Sequence, residues 1–438
     1  MNDFTTARSQ MALSLGFHIV FSCIGMAMPF FMAVSHYIWL RKGDVIYKHI
    51  TMAWAKGVAI FFATGAVSGT VLSFELGLLW PTFMKHAGPI FGLPFSLEGA
   101  AFFIEAIALG FYIYGWDKFN RWFHWGTGII VGISGVTSGI LVVSANSWMN
   151  SPAGFTFKNG KYTDIDPLKA MFNEAWFSEA LHMCIAAFAA TAFAVAGVHA
   201  LLILKNKNTL FHSSAFKIAA AFGLIASFLQ PISGDLSARG AAHRQPAKLA
   251  AMEAHLQTGN RVPLYIGGIY DDKTQSLKYA IGVPGMLSFM VNRDFDSTVE
   301  GLDHFPADER PPVAILHYAF QVMVGLGMLM VLLSLFYLLA SIKWKQWLNK
   351  RWLFKLYAIC IPIGFIAVEA GWTVTEVGRQ PWIIQGVMRT ADAVTPMHGV
   401  QFLFYVFTAV YVSLALMVIF MLYRQIKRVP FFDHEITN

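Results

Sequence analysis

The chain has 438 residues, of which 56% are hydrophobic and 13% charged, with 39 Phe, 20 Met and 13 Trp and a formal net charge of +7. Its mean hydropathy is +0.54, and a soluble fold of this size has too little interior for so many apolar side chains. A soluble enzyme, a disordered chain and a nucleic-acid module are excluded, leaving an all-α, polytopic membrane protein that partners a lipid bilayer and no nucleic acid.

A span needs about 20 mostly apolar residues. About nine are predicted in chain order, at 13–40, 51–80, 94–115, 122–148, 175–204, 214–233, 312–341, 353–376 and 396–423. The first is too long for the apolar core of a cleavable signal. The one long polar insertion, 234–311, holds much of the acid, including Asp235, Glu253, Asp271, Asp303 and Asp308. The chain therefore divides into helices one to six (1–233), a loop (234–311) and helices seven to nine (312–438). Cys23, Cys184 and Cys360 lie in separate apolar runs and suggest no disulfide framework. No internal repeat is visible.

Orientation follows from Lys and Arg in short loops. One side carries Arg41, Lys42, Lys48, Lys118, Arg121, Lys205, Lys207, Lys343, Lys345, Lys350, Arg351, Arg424, Lys427 and Arg428. The other carries half as many: Arg8, Lys85, Lys158, Lys161, Lys169, Arg379 and Arg389. The bias places the N-terminus and the long loop outside and the C-terminus in the cytoplasm, so topology accounts for the basic surplus.

Ionisable groups inside a span are costly and are functional candidates. They are His18, His36, Glu75, Glu98, Glu105, Glu179, His182, His199, His317, Glu369 and Glu376, with Met323 as a further possible ligand. Of these, His18, Glu98, His182, His317 and Glu376 are expected toward the loop end of their helices, with Met323 about three turns in. Neither HExxH nor CxxC is present. Single His residues and a Met on different helices suit haem, because the porphyrin supplies four ligands and the protein one or two. A hydrogen-bonded core histidine is the ordinary alternative for each, and Met323 also reads as packing in a Met-rich helix. Glu98 and Glu105, two turns apart, share one helix face and suit a proton relay.

The run EAGWTVTEVGRQPWIIQGVMRT (369–390) contains a GWxxxExGRQPW core that resembles the signature of subunit I of cytochrome bd-type quinol oxidases. So do RSQMALSLGFHIVFSCIGMAMPF, SLEGAAFFIEAIALGFYIYGWDKF, GILVVSANSWMNSP, EALHMCIAAF, QPAKLAAMEA and HYAFQVMVGLG, in family order over nearly the whole chain. The resemblance implies that His182 and Met323 are axial ligands of a low-spin heme b. It implies that His18 and Glu376, with Glu98, serve a high-spin heme b and an O₂-reducing heme d or third heme b; which of the three holds which iron stays open. Glu98 and Glu105 then line the high-spin pair and its proton path. Trp372 stands between haems, and Arg379 offers its cation to a propionate. Lys248 and Glu253 match the quinol residues of the "Q loop". Gln321 departs from relatives that carry Arg there, and the loop is of the short type, whose members include a cyanide-insensitive branch.

The implied activity is quinol oxidation at the external loop and O₂ reduction to water, with electrogenic proton uptake from the cytoplasm. The implied setting is the bacterial cytoplasmic (inner) membrane, beside a second polytopic subunit (subunit II) and, in some members, a small single-span subunit. The reading from another class is a haem-free, proton-coupled transporter using Glu98, Glu105 and Glu376; broken helices in corresponding halves would favour it.

Overall fold

A computed structural model describes residues 2–158, 161–205 and 209–427; Lys207 and Arg428, counted above for orientation, lie outside these. Fourteen helices follow in chain order: α1 (Asp3–Lys42), α2 (Val45–Leu79), α3 (Pro81–Tyr114), α4 (Arg121–Asn150), α5 (Pro167–Met171), α6 (Trp176–Leu204), α7 (Thr209–Arg244), α8 (Pro246–Met252), α9 (Met286–Asn292), α10 (Val313–Lys343), α11 (Arg351–Ile359), α12 (Ile363–Gly378), α13 (Thr390–Ala393) and α14 (Val400–Lys427). Among the described residues nine stretches are long and apolar enough to cross a membrane, with α11 and α12 together forming the eighth.

Local chemistry sets the helix ends. Asn2 caps α1 by accepting from the Thr5 N–H, and Gly43 ends it in the left-handed region that glycine adopts most easily. Span eight is interrupted because Pro362 lacks the N–H that would continue α11 into α12. At this break α6 comes very close. A Cβ on Gly364 would lie 2.4 Å from the Ala190 Cα, and one on Gly197 would lie 2.4 Å from the Tyr357 carbonyl oxygen.

Two helix ends differ from the sequence expectation. Helix α3 starts at Pro81, not at 94, because proline suits a first helical turn and the internal Pro89 and Pro94 are absorbed within the helix. Glu98 therefore sits near the middle of α3, not at its loop end. Helix α7 continues past 233 to Arg244, so its polar last turns rise out of the apolar layer. The loop proper is shorter than 234–311 and consists of α8, α9 and antiparallel strand pairs such as Leu264–Ile266 with Ile281–Val283.

Helices α6 and α7, α1 and α2, and α3 and α4 pack as pairs, with α1 touching α2, α4, α6 and α14. The hydrophobic cluster around Ile19, Cys23, Met26, Ala187 and Val368 joins α1, α6 and α12, and the ligand candidates lie around it.

Candidate haem and quinol site

His182 and His18 are held in the same way. The His182 Nδ1 lies 3.0 Å from the Ser233 hydroxyl, which itself donates to the Gln230 carbonyl at 3.0 Å. The His18 Nδ1 lies 2.9 Å from the Ser68 hydroxyl, which donates to the Thr64 carbonyl at 2.9 Å. A hydroxyl has one proton. With that proton committed to a carbonyl, each serine accepts from Nδ1–H. A proton on Nδ1 suits both serines and leaves the Nε2 lone pair that a metal requires, although at His182 the Gln230 amide also approaches Nδ1, at 3.2 Å. Around Nε2 stand only exchangeable donors: Ser22 at 3.0 Å from His18, and the Gln230 amide at 3.1 Å from His182.

Glycines make room beside three candidate ligands. A Cβ on Gly69 would lie 3.0 Å from the His18 Cε1, one on Gly234 would lie 3.4 Å from the His182 Cε1, and one on Gly371 would lie 3.1 Å from the Met323 Sδ. Among the described residues no group of three His, Cys, Asp or Glu is placed to hold a bare metal ion. One or two ligands per iron, a thioether among them and glycine cradles beside them fit haem. Trp372 packs against the cluster of Ile19, Cys23, Met26, Ala187, Ala190 and Val368 that α1, α6 and α12 share.

Glu376 belongs to a buried polar chain. One of its carboxylate oxygens accepts from Asn146 in a short hydrogen bond, and the other pairs with Arg379 at 2.5 Å. Arg379 is buried and also donates to Asn150 at 3.0 Å, while Asn150 donates to Glu179 at 3.1 Å. The Arg379 Nε is buried without a partner. Asn150 carries no charge and does not stand out in the sequence, whereas Glu179 opens the EALHM motif and is a span candidate to which the sequence assigns no role.

On α3, Glu98 accepts from Ser138 of α4 at 3.0 Å. Glu105 is buried beside Gly135, whose added Cβ would lie 3.5 Å from its Oε1. The two acids stand seven residues, about two turns, apart on α3.

Lys248 and Glu253 are both buried, but they point to different places. The Lys248 ammonium reaches Gln245 at 3.3 Å and the Thr375 carbonyl at 3.4 Å, with its stem across Gly378 of α12. Gln245 extends toward Asn150 (3.5 Å), so Lys248 adjoins the Glu376–Arg379 chain. Burial pulls the Lys248 amine down to about 8, opposed by neighbouring Glu179. Glu253 instead lines a small cleft with Asp235, Arg239, Leu249, Leu287 and Met290. Its Oε2 is buried without a partner, and burial pushes the carboxyl up to about 8. Beside this cleft is a cavity of about 460 Å³ between α7 and α9, sharing Arg239 and Val291 with it.

Helix α10 straps the loop down. His317, fully buried, has Nδ1 at 2.9 Å from the Met252 carbonyl and Nε2 at 3.3 Å from the Gly267 carbonyl. With both nitrogens turned to carbonyls, His317 is a fastening and not an iron ligand. Gln321 accepts from the Gly267 N–H (2.9 Å) and donates to the Tyr265 carbonyl (3.0 Å), so the residue standing where relatives carry Arg holds the loop backbone.

The family model for cytochrome bd terminal oxidase subunit I matches residues 6–430. The cytochrome bd ubiquinol oxidase subunit 1 of Bacillus subtilis (strain 168) is 31% identical over 442 residues, covering 98% of this chain and 94% of that protein. The cytochrome bd-II ubiquinol oxidase subunit 1 of Escherichia coli (strain K12) is 26% identical, covering 88% of each. The solved structure of the bd oxidase from Geobacillus thermodenitrificans superposes with a TM-score of 0.93 at 36% identity, covering 98% of this chain and 99% of that one. The chain belongs to the cytochrome bd terminal oxidase subunit I family, multi-pass membrane quinol oxidases whose membership implies haem and a partner subunit.

Proposed function

We propose that this subunit oxidises quinol at the loop end and delivers the electrons inward to O₂ at the site of His18 and Glu376. The observation that supports this reading is the matched pair of histidine–serine–carbonyl contacts, which anchor His182 and His18 at Nδ1 and leave exchangeable side-chain donors at Nε2. Bound haem supplies electron transfer and O₂ binding: a low-spin heme b on His182 and Met323, and a high-spin heme b and heme d, or a third heme b, among His18, Glu98 and Glu376.

The remaining steps belong to the protein. Quinol approaches through the cavity between α7 and α9, and Glu253 at its edge accepts a proton from the quinol hydroxyl. Lys248, on the opposite side of the same short helix, presents a cation to the buried chain leading to Glu376. Trp372 fills the space between the two ligand helices and excludes water there. Glu105 and then Glu98 carry protons along α3 toward the oxygen site, from the end of the bundle opposite the loop. With the loop outside, proton release and uptake occur on opposite faces of a bacterial cytoplasmic membrane, and charge separates without a pump. Subunit II, and in some relatives a small single-span subunit, covers part of the exposed apolar helix surface.

The test is a reduced-minus-oxidised spectrum of the purified complex with haem quantification. His182→Ala is expected to remove the low-spin signal and quinol oxidation while CO still binds at the high-spin site. Survival of the low-spin signal refutes the ligand assignment. A preparation without haem refutes the oxidase mechanism.

A further inference from the structure

Helix α1 carries polar residues at strict four-residue spacing, Gln10, Ser14, His18 and Ser22, within an otherwise apolar run. That spacing aligns them on one face. Opposite, α2 offers Ser68 to His18 and, two turns nearer the loop end, Glu75. Tyr411 of α14 closes the seam, its ring 4.8 Å from Phe17.

Gln10, Ser14 and Glu75 have no exposed surface and Tyr411 has 2%. The Gln10 amide donates to the Glu75 Oε1 at 3.0 Å. Ser14 interacts with both Glu75 and Tyr411, but without a hydrogen bond of normal geometry. Four oxygens are thereby left buried and unpartnered in one place: Gln10 Oε1, Ser14 Oγ, Glu75 Oε2 and the Tyr411 hydroxyl. Buried polar atoms in proteins are almost always satisfied, by ordered water where protein does not reach.

The donor count identifies the occupant. With a proton on Glu75 Oε2, that acid and the Ser14 and Tyr411 hydroxyls each bring one proton, while Gln10 Oε1 needs a donor. A water molecule accepts twice and donates twice: accepting from Glu75 and Tyr411 and donating to Gln10 Oε1 and Ser14 Oγ, one water touches all four groups. No basic side chain from α1, α3 or α14 pairs with Glu75, and Tyr411 is the one other titratable group that senses it. A fully buried carboxylate without a counter-charge is strongly disfavoured, and a bound proton removes the charge.

We propose that Gln10, Ser14, Glu75 and Tyr411 form a buried hydration site in which one water is held by all four side chains and Glu75 carries an exchangeable proton. The site lies on the polar face of α1 one turn beyond His18, at the loop end of that seam. If His18 holds the oxygen-reducing iron, the seam connects that iron with the loop end of the bundle and is the outlet for product water. This last role rests on the proposed function; the hydration site does not.

The experiment is infrared spectroscopy of the whole purified oxidase in H₂O and D₂O, with haem content as the folding control. Carboxylic-acid C=O bands that shift in D₂O are expected in the wild type, one of which is expected to persist in Glu105→Gln and Glu253→Gln and to vanish in Glu75→Gln. Tyr411→Phe, which removes one partner of the water and leaves the carboxyl, is expected to shift the band without abolishing it. It serves also if the Glu75 variant fails to assemble. An unchanged band in both seam variants, with haem intact, overturns the proposal. So does the absence of any such band together with a melting temperature that depends on Na⁺ in the wild type, because the four oxygens then hold a cation and not water. Loss of the haem reading would appear in the haem control and leave this band untouched.

Discussion

Glu253 offers the sharpest test of the quinol site, because its burial predicts a pH profile. The carboxyl is moved by burial from its ordinary 4.5 to about 8. At about 1.4 kcal/mol per pH unit this corresponds to about 5 kcal/mol against the charged form. At pH 7 roughly one molecule in ten then has Glu253 ready to accept a proton. If Glu253 is the base, quinol oxidation at low quinol concentration rises about tenfold from pH 6 to pH 7 and levels above pH 8. Lys248, brought down to about 8, loses its charge over the same range and imposes the falling limb. The profile is a bell centred near pH 8. Oxygen consumption with a soluble short-chain quinol, corrected for uncatalysed oxidation, measures it. Glu253→Gln is expected to slow turnover and erase the rising limb, and Lys248→Met to erase the falling one. If Glu253→Gln keeps the rising limb, the base is elsewhere. Stability gives a second reading. Between 4.5 and about 8 the folded state binds the Glu253 proton more tightly than the unfolded state, so stability falls as pH rises through that window. Between about 8 and 10.5 the unfolded state binds the Lys248 proton more tightly, so stability rises again. Thermal loss of the haem spectrum should therefore be easiest near pH 8, and Glu253→Gln should flatten the acid side.

Three further outcomes follow from the geometry. Gly371→Ala places a methyl about 3.1 Å from the Met323 sulfur, so the low-spin spectrum should become high-spin while total haem stays constant. Ser233→Ala frees the Nδ1 proton of His182 from its acceptor; a loss of low-spin haem affinity of about 10- to 100-fold, measured by haem titration, is expected from loss of such an outer contact. Arg379→Met leaves Glu376, a half-buried carboxylate, without its cation and should lower the unfolding temperature, whereas the double variant with Glu376→Gln should recover part of that loss.

What the sequence revealed, and what it hid, follows from the range of each interaction. Nine apolar runs are visible because each is a local property of about 20 residues, and His18, His182 and Glu376 stand out because charge and imidazole are scarce there. Helix ends were harder. Span three was placed at 94–115, yet α3 starts at Pro81 and runs through Pro89 and Pro94, so Glu98 was placed too near the end. The serine relays were invisible for another reason: Ser68 and Ser233 are ordinary residues in membrane helices, and only the fold brings them to histidines 50 and 51 positions away. The polar ladder of α1 was legible in the spacing of Gln10, Ser14, His18 and Ser22, but its partners Glu75 and Tyr411 come from other helices.

The divergence of Lys248 and Glu253 changes how the loop is understood. Five residues along a helix is a rotation of about 140°, so one short helix cannot turn both side chains to a single small molecule. Glu253 faces the cleft and cavity beside α9, while Lys248 faces α12 and the chain Gln245–Asn150–Arg379–Glu376. A quinol against Glu253 is thus separated from the iron ligand by the thickness of α8, and Lys248 is the cation on the far side of it. Removing a proton at one face while presenting a positive charge at the other favours electron movement inward. The same helix is pinned by His317 at Met252, the residue next to Glu253, and His317 shares α10 with Met323. The proposed quinol base and the proposed low-spin ligand are therefore linked through one helix, which holds the loop at Met252 and carries Met323.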